Sequence, residues 1–310
     1  MRGCDRPRLP AAADSAVLGH ARTARRRQLY EDVGVIPFQR QALHAPERVT
    51  SLRNLELLRC GRETDGRPPL LFLHGAFAGA WCWAEHFMPY FAQAGHCCYA
   101  LSVRGHGESE GRGQISLHGV RHYVDDLAEA IRHIGTPPVV IGHSMGGLVA
   151  QKYLERSALP AIVLVASVPP HGLAPATVSL ALLKPQLMKE LNGLLFTGRT
   201  SPEAMRQALF SGPIALDRLN RYYTLMQPES PRVIWDMTFF DLPQLWRIRM
   251  PPLLVLGAER DVMVPRQQVE LSAKTYGTRA EIFPGMGHAM MLDVGWQKVA
   301  DRIIGWLGGL

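Results

Sequence analysis

Ser144 stands in the run Gly142-His143-Ser144-Met145-Gly146, with a glycine two residues to either side. A serine hydroxyl at its ordinary pKa is a poor nucleophile. It attacks a carbonyl only when a base lies within hydrogen-bond reach and a third group orients that base. Two later segments offer such groups. His288 closes the run Ile282-Phe283-Pro284-Gly285-Met286-Gly287-His288, and a neutral imidazole can take the serine proton and hand it to a leaving group. Glu259 and Asp261 follow the apolar run at 253–258, and a carboxylate there can orient the histidine. The chemistry available to this set is acyl transfer through an intermediate bound to the serine.

Such residues act only if the chain brings them together. The β-branched run before Gly142 and the helical spacing of Leu148-Val149-Ala150 predict a buried strand, a sharp turn and a helix. A turn this tight leaves no room for a Cβ two residues before or after the serine. It also forces the serine into a sparsely populated backbone region and projects its Oγ from the strand tip. The helix then aims its amino end at the site, so the Met145 backbone N–H is a donor for a developing oxyanion.

Further strands are expected at 70–73, ending in His74-Gly75, and at 96–103, 161–166, 253–258 and 282–283. A pair of edge strands is expected within 48–60, and helices at 80–94, 118–133 and 296–307. Strands alternating with helices imply a doubly wound, mostly parallel sheet with its site at the carboxyl ends of the strands. Positions 76, 144, 261 and 288 should therefore share one rim. Residues 169–246 break the alternation and carry several prolines; short helices are expected at 180–195, 202–210, 214–226 and 232–240.

The chain has 310 residues, 47% of them hydrophobic and 20% charged, the make-up of an ordinary globular protein with a large core. The net charge is +7, of which residues 1–50 hold nine Arg against five Asp and Glu, or +4. The excess belongs to the amino-terminal stretch, and no nucleic-acid-binding pattern accompanies it. The five cysteines include no C-x-x-C pair. Cys97 and Cys98 are adjacent on an expected strand and face opposite sides, so reduced thiols in a cytoplasmic protein are the expectation. No apolar run approaches the ~20 residues that span a bilayer. Zinc-ligand spacing and a G-K-S/T phosphate loop are missing from the sequence.

With these segments in view, the chain resembles the α/β-hydrolase family, whose triad runs serine, acid, histidine in chain order. The likeness covers about residues 48–310 and includes the run Arg104-Gly105-His106-Gly107-Glu108-Ser109. It implies the α/β-hydrolase fold, with a core over 47–169 and 247–310, a helical cap over 170–246 and a basic extension over 1–46. It also implies Asp261 as the acid, ahead of Glu259, because the family pattern places the acid just before Val262-Met263-Val264-Pro265. A second oxyanion donor is implied directly after His74-Gly75, at Ala76, with Phe77 as the alternative. The loop opening at His74 is locally similar to that of plant methylesterases and hydroxynitrile lyases. A serine at the turn separates the chain from the related dehalogenases and epoxide hydrolases, which place an aspartate there.

The expectation is a serine hydrolase without cofactor or metal. Ser144, Asp261 and His288 would be catalytic, and the backbones of Ala76, Met145 and Phe77 would supply the oxyanion hole. Its partner is expected to be a small-molecule ester with an apolar acyl part, with no nucleic acid and no integral membrane segment. Alternatives are a thioester, a lactone or a carbon–carbon bond cut by the same triad, a ligand-binding protein with little turnover, or peroxide-dependent halogenation. His143 is expected to point into the strand surroundings and His106 to serve its own glycine loop.

Overall fold

The computed structural model describes residues 45–310, apart from residues 50, 51, 53, 64, 65, 198 and 199 and the side chains of 194–197. The expected extension over 1–46 lies outside the described residues but for its last two positions. Eight strands form one sheet: β1 (Glu47–Arg48), β2 (Glu56–Cys60), β3 (Leu70–Leu73), β4 (Cys98–Ser102), β5 (Val139–His143), β6 (Ile162–Val165), β7 (Leu253–Ala258) and β8 (Ala280–Phe283). Their order is β1-β2-β4-β3-β5-β6-β7-β8. The first two pairings are antiparallel and all others parallel.

The continuous apolar runs follow from burial on both faces, as parallel strands require. Successive side chains alternate between two cores. Phe72, Val139, Ile141 and Val163 face one core, together with Trp83, Phe87 and Phe91. Leu71, Leu73, Val140 and Leu164 face the other, together with Val124, Leu127 and Leu148. On the first face Phe72 stacks on Trp83 at 4.9 Å and meets Phe91 edge-on at 5.4 Å. The helices that cover the sheet are α1 (Trp81–Ala84), α2 (Phe87–Gln93), α3 (Val120–Ile134) and α4 (Met145–Tyr153).

Between β6 and β7 the chain runs through α5 (Ala174–Leu183), α6 (Pro185–Thr197), α7 (Pro202–Leu209), α8 (Leu216–Leu225) and α9 (Pro231–Trp235). A π-helical turn, Asp236–Phe240, follows α9. The fold closes with α10 (Arg266–Thr275) and α11 (Trp296–Leu307). Two expected helices prove to be broken, each at a proline. The helix expected at 80–94 divides into α1 and α2, since the Pro89 ring would strike the Glu85 carbonyl of a continuous helix. The helix expected at 180–195 divides where Pro185 pushes Lys184 to φ −140°, ψ 61°. The third difference is at 232–240, where only the first turn is α-helical and the rest widens to a π turn. Ser201 and Ser230 start α7 and α9 by accepting the N–H groups of Ala204 and Val233, the side-chain cap a helix start favours.

Candidate active site

Ser144 joins β5 to α4 with φ 50° and ψ −117°, a region that costs a non-glycine residue of order 1–3 kcal/mol. The surroundings enforce it. A Cβ on Gly142 would lie 2.7 Å from the Gly146 carbonyl oxygen and from the Gly147 Cα. One on Gly146 would run into the carbonyl oxygens of Leu73 and His74. The strained serine is pinned on its main chain, where its N–H donates to the Val165 oxygen at 3.1 Å. Met145 opens α4, and the first N–H groups of a helix have no partner within it.

His288 comes from the far end of the chain, in the turn after β8. It is 4% exposed. Its Nδ1 lies 2.7 Å from Asp261 Oδ2. The other oxygen, Oδ1, accepts the N–H groups of Met263 and Val264, each at 2.8 Å. The carboxylate is thus aimed by backbone donors, and its bond to Nδ1–H leaves Nε2 as the acceptor of the ring. Glu259, the other acid considered, is used elsewhere: its Oε2 accepts the Gly285 N–H at 2.7 Å. The acid bonded to His288 is Asp261.

A cavity of about 620 Å³ is lined by Ser144 and His288 and by Ala76 and Phe77 from the loop after β3. Phe77 is itself left-handed, with φ 63°. The strand-end residues expected on one rim are therefore brought together. Much of the remaining wall comes from the helices between β6 and β7, including Leu180, Met188, Met205, Met226 and Met237. Among the described residues no Asp, Glu, Lys or Arg lines the cavity. Trp235, Phe239 and Val178 both line it and stand more than half exposed, so the apolar wall continues out to solvent.

His143 corrects the expectation for it. It lines the cavity, and its Nε2–H donates to the His288 carbonyl oxygen at 2.9 Å. Burial, together with the neighbouring His288, holds its pKa well below the usual range, so it stays a neutral donor. Burial likewise lowers His74 to about 3; it accepts the Val103 N–H at 3.1 Å. His106 reaches beyond its loop to the buried Glu229, 3.2 Å away. Sequence reasoning missed Asp293, whose carboxylate accepts the N–H of Gly287, next to His288, at 2.6 Å.

A family model described as the Alpha/beta hydrolase family matches residues 70–302. The monoacylglycerol lipase of Mycolicibacterium smegmatis is 24% identical over 259 residues, covering 79% of this chain and 89% of that protein. The proline iminopeptidase of Flavobacterium johnsoniae is 24% identical over 256 residues, covering 74% and 86%. Among solved structures, an esterase from Exiguobacterium antarcticum superposes with a TM-score of 0.65 at 18% identity, covering 82% of this chain and 96% of that one.

Proposed function

The chain belongs to the alpha/beta hydrolase family, and from that membership we propose that it is a serine hydrolase cleaving an uncharged carboxylic ester through an acyl-enzyme. The observation that carries the reading is the strained Ser144 on the wall of the cavity that also receives His288, itself bonded to Asp261 at 2.7 Å. Ser144 Oγ attacks the ester carbonyl while His288 Nε2 takes its proton. The carbonyl oxygen, now an anion, turns toward the N–H of Met145 and that of Ala76 or Phe77. The intermediate collapses, the ester C–O bond breaks, and His288 gives the proton to the departing alcohol. Water then attacks the acyl-serine by the same steps and releases the acid. Asp261 holds the ring and stabilises the imidazolium that forms.

The helices over 170–246 act in this reading as a cap that shapes the acyl pocket. A charged substrate would be stripped of water there with no charged partner among the described lining residues, a cost of several kcal/mol. The buried thiols of Cys82, Cys97 and Cys98 suit a reducing compartment, and a cytoplasmic location is part of the proposal. Among the described residues, no helix is long and apolar enough to cross a membrane.

A panel of neutral esters, a thioester, a lactone and a carboxylate-bearing ester tests the assignment. Neutral esters are expected to turn over fastest and the charged ester at least tenfold more slowly. Preference for the thioester, or equal turnover of the charged ester, would overturn it.

A further inference from the structure

The helices between β6 and β7 touch the site in a second way, through two buried joints. The first involves Asp293, which is 3% exposed. Its Oδ2 accepts the Gly287 N–H at 2.6 Å and the Ser211 N–H at 3.0 Å. Its Oδ1 accepts the Val294 N–H at 2.8 Å. Gly287 precedes His288, whereas Ser211 belongs to the turn after α7. The two backbones meet there: a Cβ on Gly287 would lie 2.7 Å from the Ser211 nitrogen. Just beyond His288, the Ala289 N–H donates to the Leu209 oxygen at 2.8 Å. His288 is therefore gripped on both sides by the segment 209–211.

The second joint is made by Gln227. Its backbone N–H donates to the Phe77 oxygen at 3.0 Å. Its side chain clasps one peptide residue at both polar atoms: Oε1 accepts the Gly107 N–H at 2.6 Å, and Nε2 donates to the Gly107 oxygen at 3.3 Å. The following residues are anchored in turn. Tyr123 OH donates to Glu229 Oε1 at 2.7 Å, and Ser230 Oγ donates to the His118 oxygen at 2.6 Å. Fixing the Phe77 carbonyl fixes the far side of a strained residue. On the near side, a Cβ on Gly75 would lie 2.8 Å from His143 Nδ1, so that turn has no slack either.

We propose that Asp293 and Gln227 are positioning residues through which the helical segment sets the catalytic geometry, Asp293 by holding His288 and Gln227 by holding Phe77. The proposal rests on the serine-hydrolase reading above. The two residues serve different steps. A displaced imidazole fails most where it must protonate a leaving group, so Asp293→Ala should lose more on an alkyl ester than on the p-nitrophenyl ester of the same acid. A loosened Phe77 turn weakens oxyanion stabilisation, so Gln227→Leu should lose equally on both esters. It should also bind less tightly a trifluoromethyl ketone carrying the same acyl chain, because that ligand's hemiketal oxygen stands where the oxyanion forms.

The experiment measures kcat/KM on both esters and Kd for the ketone in the full chain, with Ser144→Ala alongside. Asp293→Ala is expected to lose about 10–100-fold on the alkyl ester and at least threefold less on the aryl ester. Asp293→Asn should show the same pattern in weaker form, and it carries the test if the alanine variant does not fold. Gln227→Leu is expected to lose about tenfold on both esters, with a matching loss of ketone affinity; Gln227→Glu, which sets a carboxylate against the Gly107 oxygen, should do the same. A merely smaller folded fraction would lower both esters and the ketone's apparent affinity alike, so activity and Kd are taken per folded protein, with the folded fraction of each variant read from its denaturant unfolding curve. Equal losses on the two esters for both Asp293 variants, or unchanged ketone affinity in both Gln227 variants, would overturn the proposal. Turnover surviving in Ser144→Ala would instead overturn the reading on which it rests.

Discussion

The two walls of the cavity are built on different plans. The wall formed by β3, β5 and the Ser144 turn is held by parallel ladders and by steric exclusion, with carbonyl oxygens standing where side chains at Gly142 and Gly146 would go. The wall formed by the helices between β6 and β7 is held by scattered polar joints and packs methionines and leucines toward the cavity. Methionine is unbranched and adaptable, so this wall conforms where the other cannot. In the proposed reaction the contrast would separate two duties: the sheet side would fix where bonds are made, and the helical side what fits and how firmly the loops bearing Phe77 and His288 are held.

The sharpest way to break that division is to remove chemistry without touching shape. Ser144→Ala is expected to lower kcat/KM for a neutral ester at least about 10³-fold with the melting temperature within a few degrees of the parent's; retained turnover would place the nucleophile elsewhere. Next in size is a change of shape on the rigid side. Gly146→Ala drives a methyl into the oxygens of Leu73 and His74, and should cost about 3 kcal/mol of stability or more by denaturant unfolding. A loss under 1 kcal/mol would mean that this turn relaxes as readily as the helical wall. On the adaptable side the effects are graded. Each methylene added to the acyl chain should raise kcat/KM by up to about fourfold, the equivalent of roughly 0.8 kcal/mol, until the cavity is full. Leu191→Trp, which fills part of that wall, should move the optimum to shorter chains; an unmoved optimum would put the acyl group elsewhere.

A gentler probe is pH, because the buried histidines shift in opposite directions according to whether a carboxylate from the helical side reaches them. Burial keeps His74 neutral down to about 3, whereas the unfolded chain takes up that proton near pH 6.5. Its contribution to stability is present above about 6.5 and is lost as pH falls from there toward 3; His143, also lowered, adds in the same direction. His106 differs. Burial opposes its charge, but Glu229 outweighs burial and raises its pKa. Glu229 is lowered in turn, again against its own burial, chiefly by His106. That pair stabilises most between about pH 4.3 and 6.5, weakening below as Glu229 protonates and above as His106 loses its proton. The melting-temperature gap between the parent and Glu229→Gln should be widest in this window and narrow on both sides. A gap independent of pH would show that the pair is not ionised.

Much of the rigid side was legible in the sequence. Apolar runs such as 70–73 and 253–258 mark strands covered on both faces; Ser144 and Asp261 each follow one, whereas His288 follows the half-buried edge strand β8. The geometry also chooses between the two acids, since Asp261 faces His288 while Glu259 binds the Gly285 N–H. The adaptable side was legible only as a row of helices, and Pro89 and Pro185 broke two expected helices into pairs. Asp293 and Gln227 were not foreseen for a simple reason. Their partners are backbone groups, those that tie them across the fold lying 82 and 120 residues away, and a peptide group looks the same at every position. His143 was misread because a strand residue beside the serine gives no sign that its ring turns back to the His288 carbonyl.

The most direct test of the central claim is mass analysis of the protein after brief exposure to a fluorophosphonate. A single phosphonyl adduct on the peptide containing Ser144 is predicted, absent in Ser144→Ala and formed far more slowly in His288→Ala. An adduct on another residue, or labelling of the Ser144→Ala protein at the parent's rate, would contradict it.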